Sequence, residues 1–93
     1  AASIQWVDAA GDYMCLHCSD GKTHILRKTM KELEQELDPN LFVRVHRSAI
    51  VNTKQITKLV TQVSGEYQLV LANGQELKVS RSYRDKVKSA LAS

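Results

Sequence analysis

Short runs that alternate apolar and polar residues dominate the first third of the chain. The runs IQWVDAA and YMCLHCS are separated by the turn dipeptide Gly11-Asp12, and a second turn ending at Gly21 leads into THILR. Alternation with a period of two is typical of strands, and Gly21 can supply the positive φ of a hairpin turn. The pattern therefore predicts a small antiparallel meander at the start of the chain.

The spacing of apolar residues changes to that of a helix at about residues 29–37. Thr29 and Glu32 have the T-x-x-E spacing of a capping box, in which each side chain bonds the backbone N–H of the other residue. The apolar positions on one face of this helix are Met30, Leu33 and Leu37. The helix should stop before Pro39, because the residue that precedes a proline resists the α conformation.

Strand patterns return after this helix. The run LFVRV alternates apolar and polar positions, and ITKLVTQV, YQLVL and ELKV follow it. The last three runs are separated by turns at Gly65 and at Asn73-Gly74, and Asn-Gly is a strong hairpin signal. These runs predict one further strand and then a second antiparallel meander.

A second helix is predicted at about residues 82–92, with Ser82 and Asp85 as its N-terminal cap pair. Its apolar face would carry Tyr83, Val87, Ala90 and Leu91. Taken together, the elements predict an α+β fold that is mostly β with two helices. A chain of 93 residues suits one compact domain, which we place at residues 4–92, with residues 1–3 as a linker or a cloning remnant.

The charges are distributed unevenly along the chain, which has a net charge of +3. Four of the ten acids but one of the thirteen bases lie within residues 29–38, so the rest of the chain carries twelve bases against six acids. Such an asymmetry is what binding to a polyanion requires. From charge alone, a solvated surface with a slight basic excess explains the same numbers.

Two cysteines, Cys15 and Cys18, lie three residues apart. In a strand this spacing directs the thiols to opposite faces, so they can neither share a metal ion nor form a relaxed disulfide. We expect two reduced thiols in a cytoplasmic protein, with no metal site and no cofactor. No apolar run is long enough to cross a bilayer, so membrane insertion of this domain is not expected.

No constellation of residues indicates catalysis. His46 and Ser48 are close in sequence, but nucleophilic catalysis also needs an orienting group and an oxyanion hole. The four glycines stand singly in predicted turns, so a glycine-rich phosphate loop is missing from the sequence. We predict that the chain is not an enzyme.

The densest stretch of the sequence is FVRVHRSAIVN, residues 42–52, which sets basic side chains among apolar ones. It resembles the LytTR family, the DNA-binding output domain of LytR/AlgR-type bacterial response regulators. The resemblance also includes IQWVDAAGDY near the start, MKELEQELDPN before the stretch and LKVSRSYRDKVKSAL at the end. It extends in order from Ile4 to Leu91 and so covers nearly the whole chain.

The resemblance implies an elongated scaffold of antiparallel β-sheets that reads double-stranded DNA through loops. The loop of Gly11, Asp12, Tyr13 and Met14 would enter one major groove, Arg47 the minor groove beside it, and Arg81 the next major groove. His46 would hold the loop by hydrogen bonds or touch a phosphate. Three of these residues have a plainer alternative: Tyr13 in the core, Arg47 in a surface ion pair, and Arg81 as a solvated arginine.

Further basic residues are candidates for phosphate contacts, which position a protein on DNA without reading sequence. These residues are Lys22, Lys54, Arg84, Lys86 and Lys88. As partners, the resemblance implies a second copy of the domain paired on direct repeats of DNA and an N-terminal receiver domain in the full-length protein. A β-rich module that binds a small ligand or an acidic protein is the main alternative, and RNA binding is a weaker one because aromatic residues make up only 5% of the chain.

Overall fold

The computed structural model describes residues 3–92, which form eight strands and two helices. The strands are β1 Ile4–Ala10, β2 Tyr13–Cys18, β3 Thr23–Leu26, β4 Phe42–His46, β5 Ala49–Asn52, β6 Ile56–Thr61, β7 Tyr67–Leu71 and β8 Glu76–Val79. The helices are α1 Met30–Glu36 and α2 Arg84–Ala92, and short 3-10 turns occupy Thr53–Gln55 and Arg81–Tyr83. The mostly β fold with two helices is therefore confirmed.

The strands form two antiparallel sheets. The larger sheet has five strands in the order β3-β2-β1-β5-β4, and the smaller has three strands in the order β6-β7-β8. Both predicted meanders are present, as β1-β2-β3 and as β6-β7-β8. The domain measures 35 × 24 × 23 Å along its principal axes, so it is moderately elongated.

Strand β5 lies at the centre of the core and was not predicted as a strand. All four of its residues are buried, because the five-stranded sheet is covered on both faces at this point. Ile50 packs into the apolar cluster beneath α1, whereas Ala49 and Val51 pack into the cluster shared with the smaller sheet and α2. A strand that is covered on both faces has no alternation of apolar and polar residues, so periodicity could not reveal it.

Helix α1 forms the predicted capping box. The Thr29 hydroxyl oxygen accepts a hydrogen bond from the Glu32 backbone N–H (3.1 Å), and the Glu32 carboxylate accepts one from the Thr29 backbone N–H (3.1 Å). The hydrogen bond from the Thr29 backbone is the main cause that lowers the pKa of the Glu32 carboxyl. Met30 and Leu33 face the core, and the helix ends at Glu36, before Pro39 as predicted.

The predicted cap at the start of the last helix is wrong. The chain enters a 3-10 turn at Arg81 before α2 begins at Arg84, so Ser82 lies inside the turn instead of at a cap position. The entry is fixed by backbone bonds: the Ser80 N–H donates to the Val45 carbonyl (2.8 Å), and the Tyr83 N–H donates to the Ser80 carbonyl (3.0 Å). Pairing with β4 therefore sets where this turn starts.

Both cysteines lie in β2 as free thiols, with Cys15 half-buried and Cys18 buried. The proposed linker at residues 1–3 falls mostly outside the described residues, and Ser3 exchanges hydrogen bonds with Ser19. Neither helix within residues 3–92 is long and apolar enough to cross a membrane.

Candidate nucleic-acid interface

Three turns lie at the same end of the two sheets: the tip between β1 and β2 at residues 11–12, the turn at residues 46–48 between β4 and β5, and the turn at residues 80–83 after β8. Backbone hydrogen bonds tie them together. The Ala9 N–H donates to the Ser48 carbonyl (3.0 Å), and the Ser80 N–H donates to the Val45 carbonyl (2.8 Å). We call this surface the three-turn edge.

The tip between β1 and β2 projects from this edge. Gly11 has a φ of +63°, a conformation that side chains with a Cβ seldom adopt, and this lets the chain reverse in two residues. Asp12 is exposed, and Tyr13 has 47% of its surface exposed, so Tyr13 is not a core residue. Met14 differs from Gly11, Asp12 and Tyr13, because it is 4% exposed and packs in the apolar cluster beneath α1. Its side chain therefore belongs to the core.

The turn at residues 46–48 presents Arg47 to solvent. Its guanidinium has no ion-pair partner within residues 3–92, so the alternative of a surface salt bridge is not what the structure shows. His46 closes the turn, since its ring Nδ1 accepts a hydrogen bond from the Ser48 backbone N–H (3.2 Å) and lies at hydrogen-bond distance from the Ser48 hydroxyl (2.9 Å). This geometry is that of a residue that holds the loop.

Arg81 opens the third turn and is also exposed, again without an ion-pair partner among the described residues. Beside it lies a shallow groove of about 350 Å³, lined among others by His46, Lys78 and Ser80. The Lys78 ammonium pairs with the Glu66 carboxylate (2.9 Å), and both line the same groove. The structure thus brings Arg47, His46 and Arg81 to one edge with two unpaired guanidinium groups.

The predicted phosphate contacts divide into two groups. Arg84, Lys86 and Lys88 lie on α2, directly after the Arg81 turn. Arg84 and Lys88 sit over the Tyr67 ring, at 5.4 Å and 4.9 Å from its centroid, and Lys86 is exposed.

Lys22 and Lys54 lie at the opposite end of the five-stranded sheet. Lys22 follows the far end of β2, where its carbonyl accepts a hydrogen bond from the Cys18 N–H, and Lys54 follows the far end of β5. The structure does not bring these two lysines to the three-turn edge, so the phosphate contacts predicted for them from the sequence are untested, and DNA bound at that edge alone would not reach them.

Sequence reasoning missed Arg44, which lies behind the three-turn edge. Its guanidinium donates to the Arg47 carbonyl (Nη2, 2.6 Å), the His46 carbonyl (Nε, 3.4 Å) and the Glu34 carboxylate (Nη1, 3.3 Å). Its Cζ lies 5.3 Å from the centroid of the Tyr83 ring. The alternation in LFVRV placed Arg44 on the polar face, but nothing in that pattern predicted the acceptors that it meets.

Comparison with known proteins agrees with this fold. The family model for the LytTr DNA-binding domain matches residues 1–92. The structure aligns with a solved LytTr DNA-binding domain from Bacillus cereus at a TM-score of 0.87 and 24% sequence identity, over 97% of this chain and 82% of that one. This alignment establishes the fold.

Curated relatives share about a third of their residues with the chain over the matched region. The transcriptional regulatory protein LytR of Staphylococcus aureus (strain N315) is 34% identical over 62 residues, which are 67% of this chain and 25% of that protein. The sensory transduction protein LytT of Enterococcus faecalis is 33% identical over 72 residues, which are 77% of this chain and 30% of that protein. The chain thus spans between a quarter and a third of these relatives. On the match over its whole described length, the chain belongs to the LytTR family of DNA-binding domains.

Proposed function

We propose that the chain reads the sequence of double-stranded DNA with its three-turn edge. The observation that carries this proposal is the pair of exposed, unpaired arginines, Arg47 and Arg81, on two turns that share an edge with the Gly11-Asp12 tip. An arginine without an internal partner is free to offer its planar fork to a base edge or a phosphate. The backbone hydrogen bonds from Ala9 to Ser48 and from Ser80 to Val45 keep the backbone of the turns close together.

In this arrangement each turn has its own role. The tip with Asp12 and Tyr13 enters one major groove, and Arg81 enters the next, where a bidentate contact to guanine O6 and N7 is the most common specific contact of an arginine. Arg47 lies between them and enters the minor groove, whose negative potential is deepest where it is narrow. The cations of α2 contact the flanking phosphates and add affinity without adding sequence preference.

The proposed cellular role rests on the family and on the names of the relatives. The domain serves a cytoplasmic bacterial transcription regulator of the two-component type, in which an N-terminal receiver domain controls whether two copies pair on direct repeats of DNA. In support, the curated relatives are named as a transcriptional regulatory protein and a sensory transduction protein, and each is about three to four times as long as the matched region.

Selection of bound sequences from random duplex DNA tests the proposal. The expected result is enrichment of two similar short motifs about one helical turn apart, bound about a thousandfold more tightly than a scrambled duplex at physiological salt. The salt dependence of that affinity should be steep, because several phosphate counterions are displaced. Failure to enrich any sequence, even after two copies are joined by a flexible linker, would contradict the proposal.

A further inference from the structure

The guanidinium of Arg44 joins three separate segments of the chain. All three of its nitrogen atoms donate hydrogen bonds within the protein: to the carbonyls of His46 and Arg47 and to the carboxylate of Glu34 on α1. Its Cζ lies over the ring of Tyr83, in the turn that carries Arg81. One side chain therefore contacts the Arg47 turn, the Arg81 turn and α1.

These contacts leave Arg44 little capacity to bind DNA itself. Its side chain is 17% exposed, and the charge is already neutralised in part by Glu34. Its shortest hydrogen bond, at 2.6 Å, is to the backbone carbonyl of Arg47, the residue that we propose for the minor groove. The bond from the Arg44 guanidinium to this carbonyl holds that part of the chain, because a hydrogen bond from a charged donor is stronger than one between neutral groups.

We propose that Arg44 is a positioning residue, which holds the Arg47 turn and the Arg81 turn in the relation that DNA reading needs. This inference rests on the proposed function, since it names the residue that fixes the relative position of two turns proposed to read DNA. The planar fork is essential to the role. A lysine at this position would keep the positive charge, but a single ammonium cannot serve two carbonyls, a carboxylate and an aromatic face with the same geometry.

The variant Arg44→Lys separates positioning from charge. Its affinity for the selected duplex should fall about tenfold, the scale expected when hydrogen bonds of a charged group are lost. Its affinity for a scrambled duplex and the dependence of binding on salt should stay unchanged, because the number of phosphate contacts is the same. The preference for the base steps that Arg47 reads should weaken, and a merely structural role would not produce that selective loss.

Backbone dynamics give a second readout that needs no DNA. The amide order parameters of Arg47 and Ser48 should fall from about 0.85, typical of rigid backbone, to below about 0.6 in Arg44→Lys. A matched pair of variants on α1 controls for charge: Glu34→Ala removes the acid that anchors Arg44, whereas Glu36→Ala removes an acid that pairs with Lys28 instead. The first should mobilise the turn and reduce sequence preference, and the second should do neither. Glu34→Ala also tests the inference if Arg44→Lys does not fold.

A double-mutant comparison shows whether Arg44 acts through Arg47. In an Arg47→Ala background, Arg44→Lys should cost clearly less than its tenfold effect in the wild type. Order parameters that stay at the rigid value in both Arg44→Lys and Glu34→Ala would overturn the positioning role. An equal loss of affinity for selected and scrambled duplexes, together with a reduced salt slope, would also overturn it, since Arg44 would then be a phosphate contact. A wild-type domain that selects no DNA would overturn the proposed function and the reading part of this inference together.

Discussion

Lys22 provides the sharpest test of where DNA lies on this molecule. It was predicted from the sequence as a phosphate contact, yet it follows the end of β2 that is remote from the three-turn edge. The five steps from Tyr13 to Cys18 along β2, at about 3.3 Å each, place Cys18, whose N–H donates to the Lys22 carbonyl, about 17 Å from the Tyr13 end of that strand. The physiological Debye length is about 8 Å, so this distance exceeds two screening lengths.

The electrostatic interaction between Lys22 and DNA at the three-turn edge follows from that distance. Two unit charges about 17 Å apart in water interact by about 0.2 kcal/mol, and screening reduces this to about 0.03 kcal/mol. A direct phosphate contact behaves differently, since each one contributes about 0.9 to the slope of log affinity against log salt. Over a fourfold rise in salt, that slope corresponds to about a 3.5-fold change in affinity for each contact.

The assay is a fluorescence anisotropy titration of the selected duplex between about 50 and 200 mM salt, the range in which phosphate contacts dominate the slope. Lys22→Ala should leave both affinity and slope unchanged, whereas Lys86→Ala should reduce the slope by about 0.9 and weaken binding to all sequences alike. If Lys22→Ala reduced the slope as much as Lys86→Ala, DNA would have to run along the sheet, and the placement at the three-turn edge would be refuted.

Three further predictions concern the edge and the fold that supports it. Arg81→Ala should cost about 1 to 3 kcal/mol of binding to the selected duplex and relax the preference at one base position, and an equal loss on scrambled DNA would remove Arg81 from the reading role. Ile50→Ala should lower the free energy of unfolding in urea by about 2 to 5 kcal/mol because Ile50 is 1% exposed, whereas the matched change Ile25→Ala, at a site 63% exposed on β3, should stay within about 0.5 kcal/mol. Hydrogen bonds from Thr29 hold the pKa of Glu32 below its ordinary value of 4.5. The capping box therefore stabilises the fold fully above pH 4.5, and this stabilisation is lost as the pH falls through the lowered pKa of Glu32. Glu32→Gln should flatten the acid limb of a stability profile, and a profile identical to that of the wild type would contradict the assignment.

Sequence patterns were sufficient to predict most helices and strands, because the signals for these elements lie within a few neighbouring residues. The alternation in β1 and β2, the T-x-x-E box and the Asn-Gly turn each depend on residues close in sequence. Strand β5 could not be found in this way, since its burial on both faces depends on α1 and on the smaller sheet, which only the folded chain brings together. The start of α2 depended on a backbone bond from Ser80 to Val45, a contact across 35 positions of the chain.

In the candidate site, too, some features could be predicted from the sequence and others depend on contacts in the folded chain. Arg47 and Arg81 came from a family resemblance, and the structure adds that both are exposed and unpaired at one edge. The burial of Met14 was readable in principle, because it shares the alternating apolar face of β2 with Leu16 and Cys18. The contacts of Arg44 were not readable, since its partners include Glu34 ten positions earlier and backbone carbonyls that carry no sequence signal.

Whether the three-turn edge reads DNA can be tested by an amide chemical-shift titration of the isotope-labelled domain with the selected duplex. We expect the largest shift changes at Asp12, Arg47 and Arg81, with negligible changes at Lys22 and Lys54. Changes concentrated around Lys22 and Lys54, with the three turns unaffected, would contradict that role of the edge.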